Sequence, residues 1–192
     1  LYQNIRDEFS SPGMRVEAEE LSIPMMTKIE EVEEKREYLL SRYSNPPKVA
    51  VFIGDPAWLV CQSLFDGAWK DVPAVICYSR DSMPRNLENF INKDFLGEGK
   101  FISTETITAG YNLTVIKHPF YVKNTINLIR KLQPDVKKIA LISDDRYISA
   151  MVREDVKNVL KRDFPELELD LLTSIDMSTE KLLDSLMDYS RE

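Results

Sequence analysis

The stretch Lys48-Val-Ala-Val-Phe-Ile-Gly-Asp55 decides the fold, because a close copy of it returns as Lys138-Ile-Ala-Leu-Ile-Ser-Asp-Asp145. Each copy is a short apolar, β-branched run that ends in a small residue and an acid, and a helical pattern follows at once. Such a run is typical of a buried parallel strand that leads into a helix. The repeat therefore predicts an α/β protein with two related halves, in which layers of parallel sheet are flanked by helices.

The composition excludes several classes of partner. The 192 residues include 25 basic and 32 acidic ones, for a net charge of -7, and the basic residues are scattered, so we expect no nucleic-acid partner. No apolar run approaches the roughly 18 residues of a membrane span, and the first residues do not resemble a signal peptide. One His and two distant cysteines, Cys61 and Cys77, lack metal-ligand spacing, so we expect buried thiols, no metal and no cofactor.

The order of apolar patterns predicts strands and helices in alternation, and hence parallel sheets. Residues 14–21 alternate apolar with polar side chains, as a half-exposed edge strand does, and the capping box from Thr27 to Glu30 predicts a helix start. A further helix is predicted over residues 119–132. Residues 79–100, with only a weak helical pattern near Leu87 to Ile91, form the longest irregular region, and a strand is predicted near Phe101 to Thr104. Long loops inside compact domains tend to be functional or mobile.

The acids that end the two copies are the first candidates for function. Asp55 is predicted to be an N-cap for the helix that Pro56 opens, a ligand-binding carboxylate or a nucleophile. Asp144 and Asp145 have the same alternatives. A response-regulator phosphoacceptor pocket would also need a later strand-end Asp and a Lys, and neither is present.

The loop after residues 72–78 supplies the second group of candidates. Tyr78, Ser79 and Arg80 place an aromatic ring, a hydroxyl and a guanidinium at a strand end, which suits a small polar or anionic ligand or an ordinary solvated turn. The single His118 precedes Pro119, so it is predicted as a helix-start residue rather than a general base. Glycine-based nucleophile elbows and phosphate loops are absent, so no catalytic residue is predicted.

Parallel strands present ligands at their carboxyl ends, so these residues are expected to line one cleft. The predicted ligand-binding residues are Asp55, Pro56, Tyr78, Ser79, Arg80, His118, Asp144, Asp145 and Arg146.

Four runs taken together resemble a known family. These are Val49-Ala-Val-Phe-Ile-Gly-Asp-Pro-Ala57, Val72-Pro-Ala-Val-Ile-Cys-Tyr78, Tyr111-Asn-Leu-Thr114 and Leu132-Gln-Pro-Asp-Val-Lys-Lys-Ile-Ala-Leu-Ile-Ser-Asp144. In order and spacing they are similar to the substrate-binding-protein-like domains of periplasmic binding protein type I. The variants they resemble most are the extracytoplasmic input domains of bacterial hybrid two-component sensor histidine kinases.

The resemblance implies a fold, a role and a location. The fold would consist of Rossmann-like parallel sheet layers flanked by helices. Residues 1–110 would form a first α/β lobe that lacks its first strand, and residues 111–192 a crossover and part of a second lobe. The chain would thus be a piece of a longer protein. It would be the periplasmic, ligand-sensing part of an inner-membrane kinase that acts as a homodimer, joined to the membrane only through the parent protein. Its partner would be an unidentified small molecule bound between the lobes.

Two other functions compete with this one. A substrate-binding protein of an ABC transporter would share the fold, and a small α/β enzyme would use Asp55. The sensor and the transporter differ in what adjoins the domain: a membrane span and a kinase core, or a lipoprotein signal and a free carboxyl terminus.

Overall fold

The computed structural model describes residues 2–9, 15–95, 99–173 and 177–189, which form a mixed α/β protein with parallel sheets flanked by helices. The strands are β1 (Ala50–Ile53), β2 (Ala74–Ser79), β3 (Ser82–Pro84), β4 (Phe101–Ser103), β5 (Leu113–Lys117), β6 (Lys138–Ser143) and β7 (Glu168–Thr173). The helices are α1 (Tyr2–Phe9), α2 (Ile29–Arg42), α3 (Asp55–Phe65), α4 (Leu87–Ile91), α5 (Thr104–Thr108), α6 (Val122–Leu132), α7 (Tyr147–Asp163) and α8 (Thr179–Tyr189), with a 3₁₀ helix at Ile23–Met25. None of the helices described is both long and apolar enough to cross a membrane.

The first copy of the repeat lies at one edge of a three-stranded parallel sheet in the order β1-β2-β5. Its register aligns Ala50 with Ala74, and Ala74 with Leu113. On one face of the sheet, Phe52 packs edge-to-face against Trp58 and Phe65 of α3, each with a centroid distance of 5.7 Å. β5 completes this sheet although it lies beyond the predicted boundary at residue 110.

The second copy forms a separate two-stranded parallel sheet, β6 with β7. A second apolar core lies between this sheet and the helices α6 and α7, with Ile126, Leu160 and Phe164 at its centre. The two copies therefore build two sheets with two cores, as the repeat predicts.

The connection between β2 and β5 differs from the prediction. Within residues 79–100, α4 lies at the weak helical pattern near Leu87 to Ile91, and β4 lies at the strand predicted near residue 101. β3 was not predicted, and it pairs antiparallel with β4, with Met83 opposite Ile102, where parallel sheets were expected. Met83 is fully buried, so this pair closes the end of the first core. A three-residue strand that ends in Pro84 carries too little alternation to be recognised in sequence.

The prediction for the segment before α2 was wrong in two respects. Residues 15–21 are not a strand, because the alternating acids Glu17 and Glu19 pair with Arg42 at 3.2 and 2.6 Å instead of facing a partner strand. The helix also begins two residues after Thr27, and Glu31 rather than Glu30 closes the turn. The Glu31 carboxylate accepts from the backbone amides of Thr27 and Lys28 at 2.6 and 3.0 Å.

The helix predicted from residue 119 begins later, at Val122. His118 still belongs to the end of the sheet, because its backbone amide donates to the Ser79 carbonyl at 2.8 Å. His118 is therefore not a helix-start residue.

Candidate functional site

The turn after β1 sets the position of Asp55. Gly54 has φ +87° and ψ 154°, a conformation that in practice only glycine adopts, and it occupies the N-cap position of α3. Asp55 is thus the first residue of the helix rather than its cap, and its side chain makes no capping hydrogen bond. The carboxylate is free to face the neighbouring strand end and α7.

Asp55 is buried and incompletely hydrogen-bonded. Only 1% of the residue is exposed, and its Oδ2 accepts a hydrogen bond from the Tyr147 hydroxyl at 2.9 Å. Its Oδ1 has no partner within the described part of the chain. Burial raises the pKa of the Asp55 carboxyl, while the Ser79 and Tyr147 hydroxyls, the Arg80 charge and the Arg80 backbone amide act in the opposite direction. Neither the Ser79 hydroxyl nor the Arg80 amide is placed to complete a hydrogen bond to Oδ1.

The hydroxyl of Tyr147 keeps its proton and donates its hydrogen bond to Asp55. Burial of the hydroxyl, and then the charge of Asp55, raise the pKa of Tyr147 well above the usual phenol value. Its ring packs edge-to-face on Phe90 with a centroid distance of 5.3 Å. The phenol therefore remains protonated and is held in place beside the carboxylate.

Arg80 lies at the centre of the polar residues around Asp55. The residue is only 9% exposed, and its guanidinium stacks over the Phe120 ring, 3.6 Å from the centroid. Its Nη1 donates to His118 Nδ1 at 3.3 Å. Burial raises the pKa of both Asp55 and Asp155, and the positive charge of Arg80 opposes the rise in each, so one cation serves two acids on different elements.

Tyr78 has an unusual backbone conformation. Its φ is +61°, in the left-handed region, and the pairing between β2 and β5 shifts register there, between Cys77 and Ser79. The bulge turns the Tyr78 side chain outward, where it is 48% exposed, with its ring 5.4 Å from the His118 ring. A bulge that re-aims a side chain at a strand end is common beside binding sites.

The acids of the second copy, Asp144 and Asp145, make contacts outside the network around Asp55. Asp144 accepts from the Arg146 backbone amide at 3.0 Å and from its guanidinium at 2.5 Å, and the Ser149 hydroxyl, followed by Arg146, lowers the pKa of Asp144. Asp145 forms an exposed ion pair with Lys93 at 3.1 Å. Asp144, Asp145 and Arg146 therefore organise the start of α7 and are not in contact with Asp55.

The structure thus divides the predicted ligand-binding residues into groups. Asp55, Ser79, Arg80 and His118 form one connected network, Tyr78 adjoins it through His118, and Pro56 continues the first turn of α3. The sequence prediction missed Tyr147, Phe120 and Asp155. The position of Tyr147 directly after Arg146, at the helix start, is only a weak indication of a binding role, because its partner Asp55 is 92 positions away in the sequence.

A shallow cleft opens beside this network, between the β3–β4 pair and α7. Its volume is about 430 Å³, within the range of small-molecule sites, and its lining consists of Asp81, Ser82, Phe101, Ile102, Ser103, Glu154, Asp155, Asn158 and Arg162. Burial, and then the charge of Asp81, raise the pKa of the Asp155 carboxyl on the cleft wall. None of the nine predicted ligand-binding residues lines this cleft, contrary to the expectation that they would share one. The link between the cleft and the Asp55 network is the electrostatic interaction of Asp155 with Arg80.

The described residues offer limited means for covalent or metal chemistry. They contain no group of three or more His, Cys, Asp or Glu side chains that could hold a metal ion. Burial raises the pKa of the Cys61 thiol to about 12, so it is not a nucleophile. Comparison with protein-family models, with curated proteins and with solved structures finds no match.

Proposed function

We propose that the chain is the ligand-sensing input domain of a two-component sensor histidine kinase, with a fold like that of type I periplasmic binding proteins. The observation that carries this proposal is the hydrogen bond between Asp55 and Tyr147, because it joins the carboxyl end of the first strand-acid-helix unit to the helix of the second. Ligands of open α/β sheets bind at such strand ends. The network around Asp55 and the cleft at Asp155 would receive a small solute.

Sensing would work through the position of α7. A ligand shifts an equilibrium between two forms only as far as it binds one form more tightly than the other. A solute held between the β3–β4 pair and α7 would contact both parts of the molecule only when they are close together. It would therefore favour the closed arrangement, and the change would pass to the kinase.

The role in the cell follows from the same proposal. The domain would be periplasmic, would reach the membrane only through its parent protein, and would function as a homodimer. The kinase chemistry would belong to the parent protein and not to this chain. A transport substrate-binding protein is the alternative with the same fold, and the full-length sequence separates the two by the presence or absence of a kinase core.

A thermal-shift screen of sugars, amino acids and carboxylates tests whether a solute binds. A ligand present at 100 times its dissociation constant should stabilise the folded protein by about 2.7 kcal/mol. Arg80→Gln should remove this stabilisation, because it deletes the cation that Asp55 and Asp155 share. Asp71→Ala is the matched control, since Asp71 is exposed on the turn after α3 and away from the network.

The outcomes of the screen separate the candidate functions. A hit that Arg80→Gln abolishes and Asp71→Ala retains supports the ligand site. The absence of any hit across the three classes, or a hit that Arg80→Gln leaves unchanged, would count against it. The buried Asp55 with its raised pKa also suits a general acid, so turnover of a hit compound that is lost in Asp55→Asn would favour the enzyme alternative.

A further inference from the structure

The first turn of α7 belongs to the core of the other sheet. Tyr147 and Ala150 pack in the core beneath β1 and β2, and the Tyr147 ring lies 5.3 Å from that of Phe90 and 5.9 Å from that of Phe95. Farther along the same helix, Val156 and Leu160 pack in the second core. One helix therefore spans both cores, and its first turn is the point where they are joined.

Few polar contacts hold this first turn against the first sheet. Lys93 and Asp145 pair at 3.1 Å, but both side chains are about half exposed, and such pairs contribute little. The Tyr147–Asp55 hydrogen bond is the buried polar contact. On the other side, Arg153 donates to Ser143 Oγ and to the Asp144 carbonyl, at 3.0 and 2.5 Å, so α7 is fixed to the end of β6.

The charges around Asp55 decide what its ionisation does to this contact. Arg80, from the loop after β2, is the nearby cation, and it is shared with Asp155 of α7 and stacked on Phe120. Tyr147 is a neutral donor, and Asp155 is itself influenced by Asp81 and Glu154. Burial outweighs the Ser79 and Tyr147 hydroxyls, the Arg80 backbone amide and the Arg80 charge, which is shared with Asp155, so the pKa of Asp55 is raised. With Oδ1 unpartnered among the described residues, the ionised carboxylate is costly in this position.

We propose that the first turn of α7 is a latch on the first sheet, held by the hydrogen bond from Tyr147 to Asp55, and that ionisation of the buried Asp55 carboxyl releases it. When the latch opens, Asp55 meets water, which solvates the charge. The latch adds a second input to the proposed sensor and so rests on that function, but its test uses no ligand. Failure of the latch and failure of the ligand site are therefore distinguishable.

The direction of the pH effect follows from linkage. Burial raises the pKa of Asp55 in the closed form, so the closed form binds the proton more tightly than the open form does. The latch is thus closed when the carboxyl is protonated, and it opens as pH rises from the ordinary Asp value through the raised one. One proton changes the ratio of open to closed forms by at most about tenfold per pH unit within that window.

Hydrogen exchange of the whole chain, followed by mass spectrometry over a pH series and corrected for the intrinsic exchange rate, tests the latch. Protection of the segment 147–153 should fall as pH rises, while protection of β6 and β7 stays constant. Asp55→Asn, which cannot ionise, should make protection of that segment independent of pH. Tyr147→Phe should lower its protection at acid pH, where the latch of the native chain is closed.

Two controls keep the test decisive. Lys93→Gln breaks the exposed ion pair beside the latch and should leave the pH dependence intact. Asp155→Asn removes the charge of the other acid near Arg80. Protection of segment 147–153 should still depend on pH in this variant, and adding Asp55→Asn should abolish that dependence. A native chain without pH dependence in segment 147–153, a dependence that survives Asp55→Asn, or a parallel loss of protection in β6 and β7 would each overturn the proposal.

Discussion

At the scale of single residues, Tyr78 has a strained, left-handed backbone conformation at the end of β2. A non-glycine residue in the left-handed region costs roughly 1–2 kcal/mol, and a β-branched one is worse because its side chain is crowded at Cβ. We therefore predict that Tyr78→Gly changes the free energy of unfolding by less than about 1 kcal/mol, while Tyr78→Val destabilises by about 1–2 kcal/mol more than Tyr78→Gly. Urea denaturation of the two variants measures the difference, and equal stabilities would contradict the strained backbone.

Asp55 marks the limit of sequence-based prediction for the site. Its place at a strand end was predictable, because a β-branched run followed by Gly-Asp-Pro indicates a strand, a turn and a helix. Its partner was not, because Tyr147 lies 92 positions away, and the contact depends on how the second unit packs against the first. Asp144 and Asp145 were predicted by the same pattern as Asp55, yet their carboxylates are satisfied locally and by Lys93.

At the scale of elements, the β1–α3 turn depends on one glycine. A Cβ at Gly54 would meet only Pro56 Cδ at 3.5 Å, an ordinary contact, so the obstacle to a side chain is the backbone conformation itself. Gly54→Ala should destabilise by about 1–3 kcal/mol. Gly67, in the turn after α3, has no positive φ and open surroundings, so Gly67→Ala should lie within about 1 kcal/mol of the native chain. Thermal unfolding of both variants tests this, and similar melting temperatures would contradict it.

The start of α2 depends on Glu31. The two backbone amides that it accepts from, those of Thr27 and then Lys28, lower the pKa of the Glu31 carboxyl. Stability from this residue is therefore present above its unfolded pKa and is lost as pH falls through the lowered value. Glu31→Ala should lower the melting temperature at neutral pH more than Glu30→Ala does, and the difference should disappear in acid. A difference between the two variants that persists in acid would show that charge on Glu31 is not the cause.

The strands and helices were predictable where an apolar run is bounded by clear turn residues. β1, β2, β6 and α3 follow from such runs, whereas β3 has only three residues and its antiparallel pairing with β4 has no signal in the sequence. The alternation in residues 15–21 misled the prediction, since Glu17 and Glu19 alternate to reach Arg42 and not to line a sheet. The local alternation of apolar and polar residues determines the direction in which side chains point. Which residues they then contact depends on the tertiary structure.

At the scale of the whole molecule, the described residues cover one face of the first sheet only in part. Parallel sheets usually have both faces covered by helices, yet only one face of β1-β2-β5 packs on α3. The opposite face carries side chains from each of the three strands, in register and mostly apolar: Val51, Ile53, Val75, Cys77, Thr114 and Ile116. Val51, Ile53 and Ile116 are 43%, 49% and 54% exposed.

An apolar sheet face that is exposed to this extent favours self-association. We therefore predict that the chain associates with itself, consistent with the proposed homodimer, and that this face contributes. Ile53→Lys should shift the population toward monomer, because a lysine would have to be desolvated in any contact through the sheet. Leu132→Lys is the control, since Leu132 is 75% exposed on α6 and off this face. Light scattering that finds a 22.2 kDa monomer for the native chain at high micromolar concentration, or equal effects of the two lysines, would contradict the prediction.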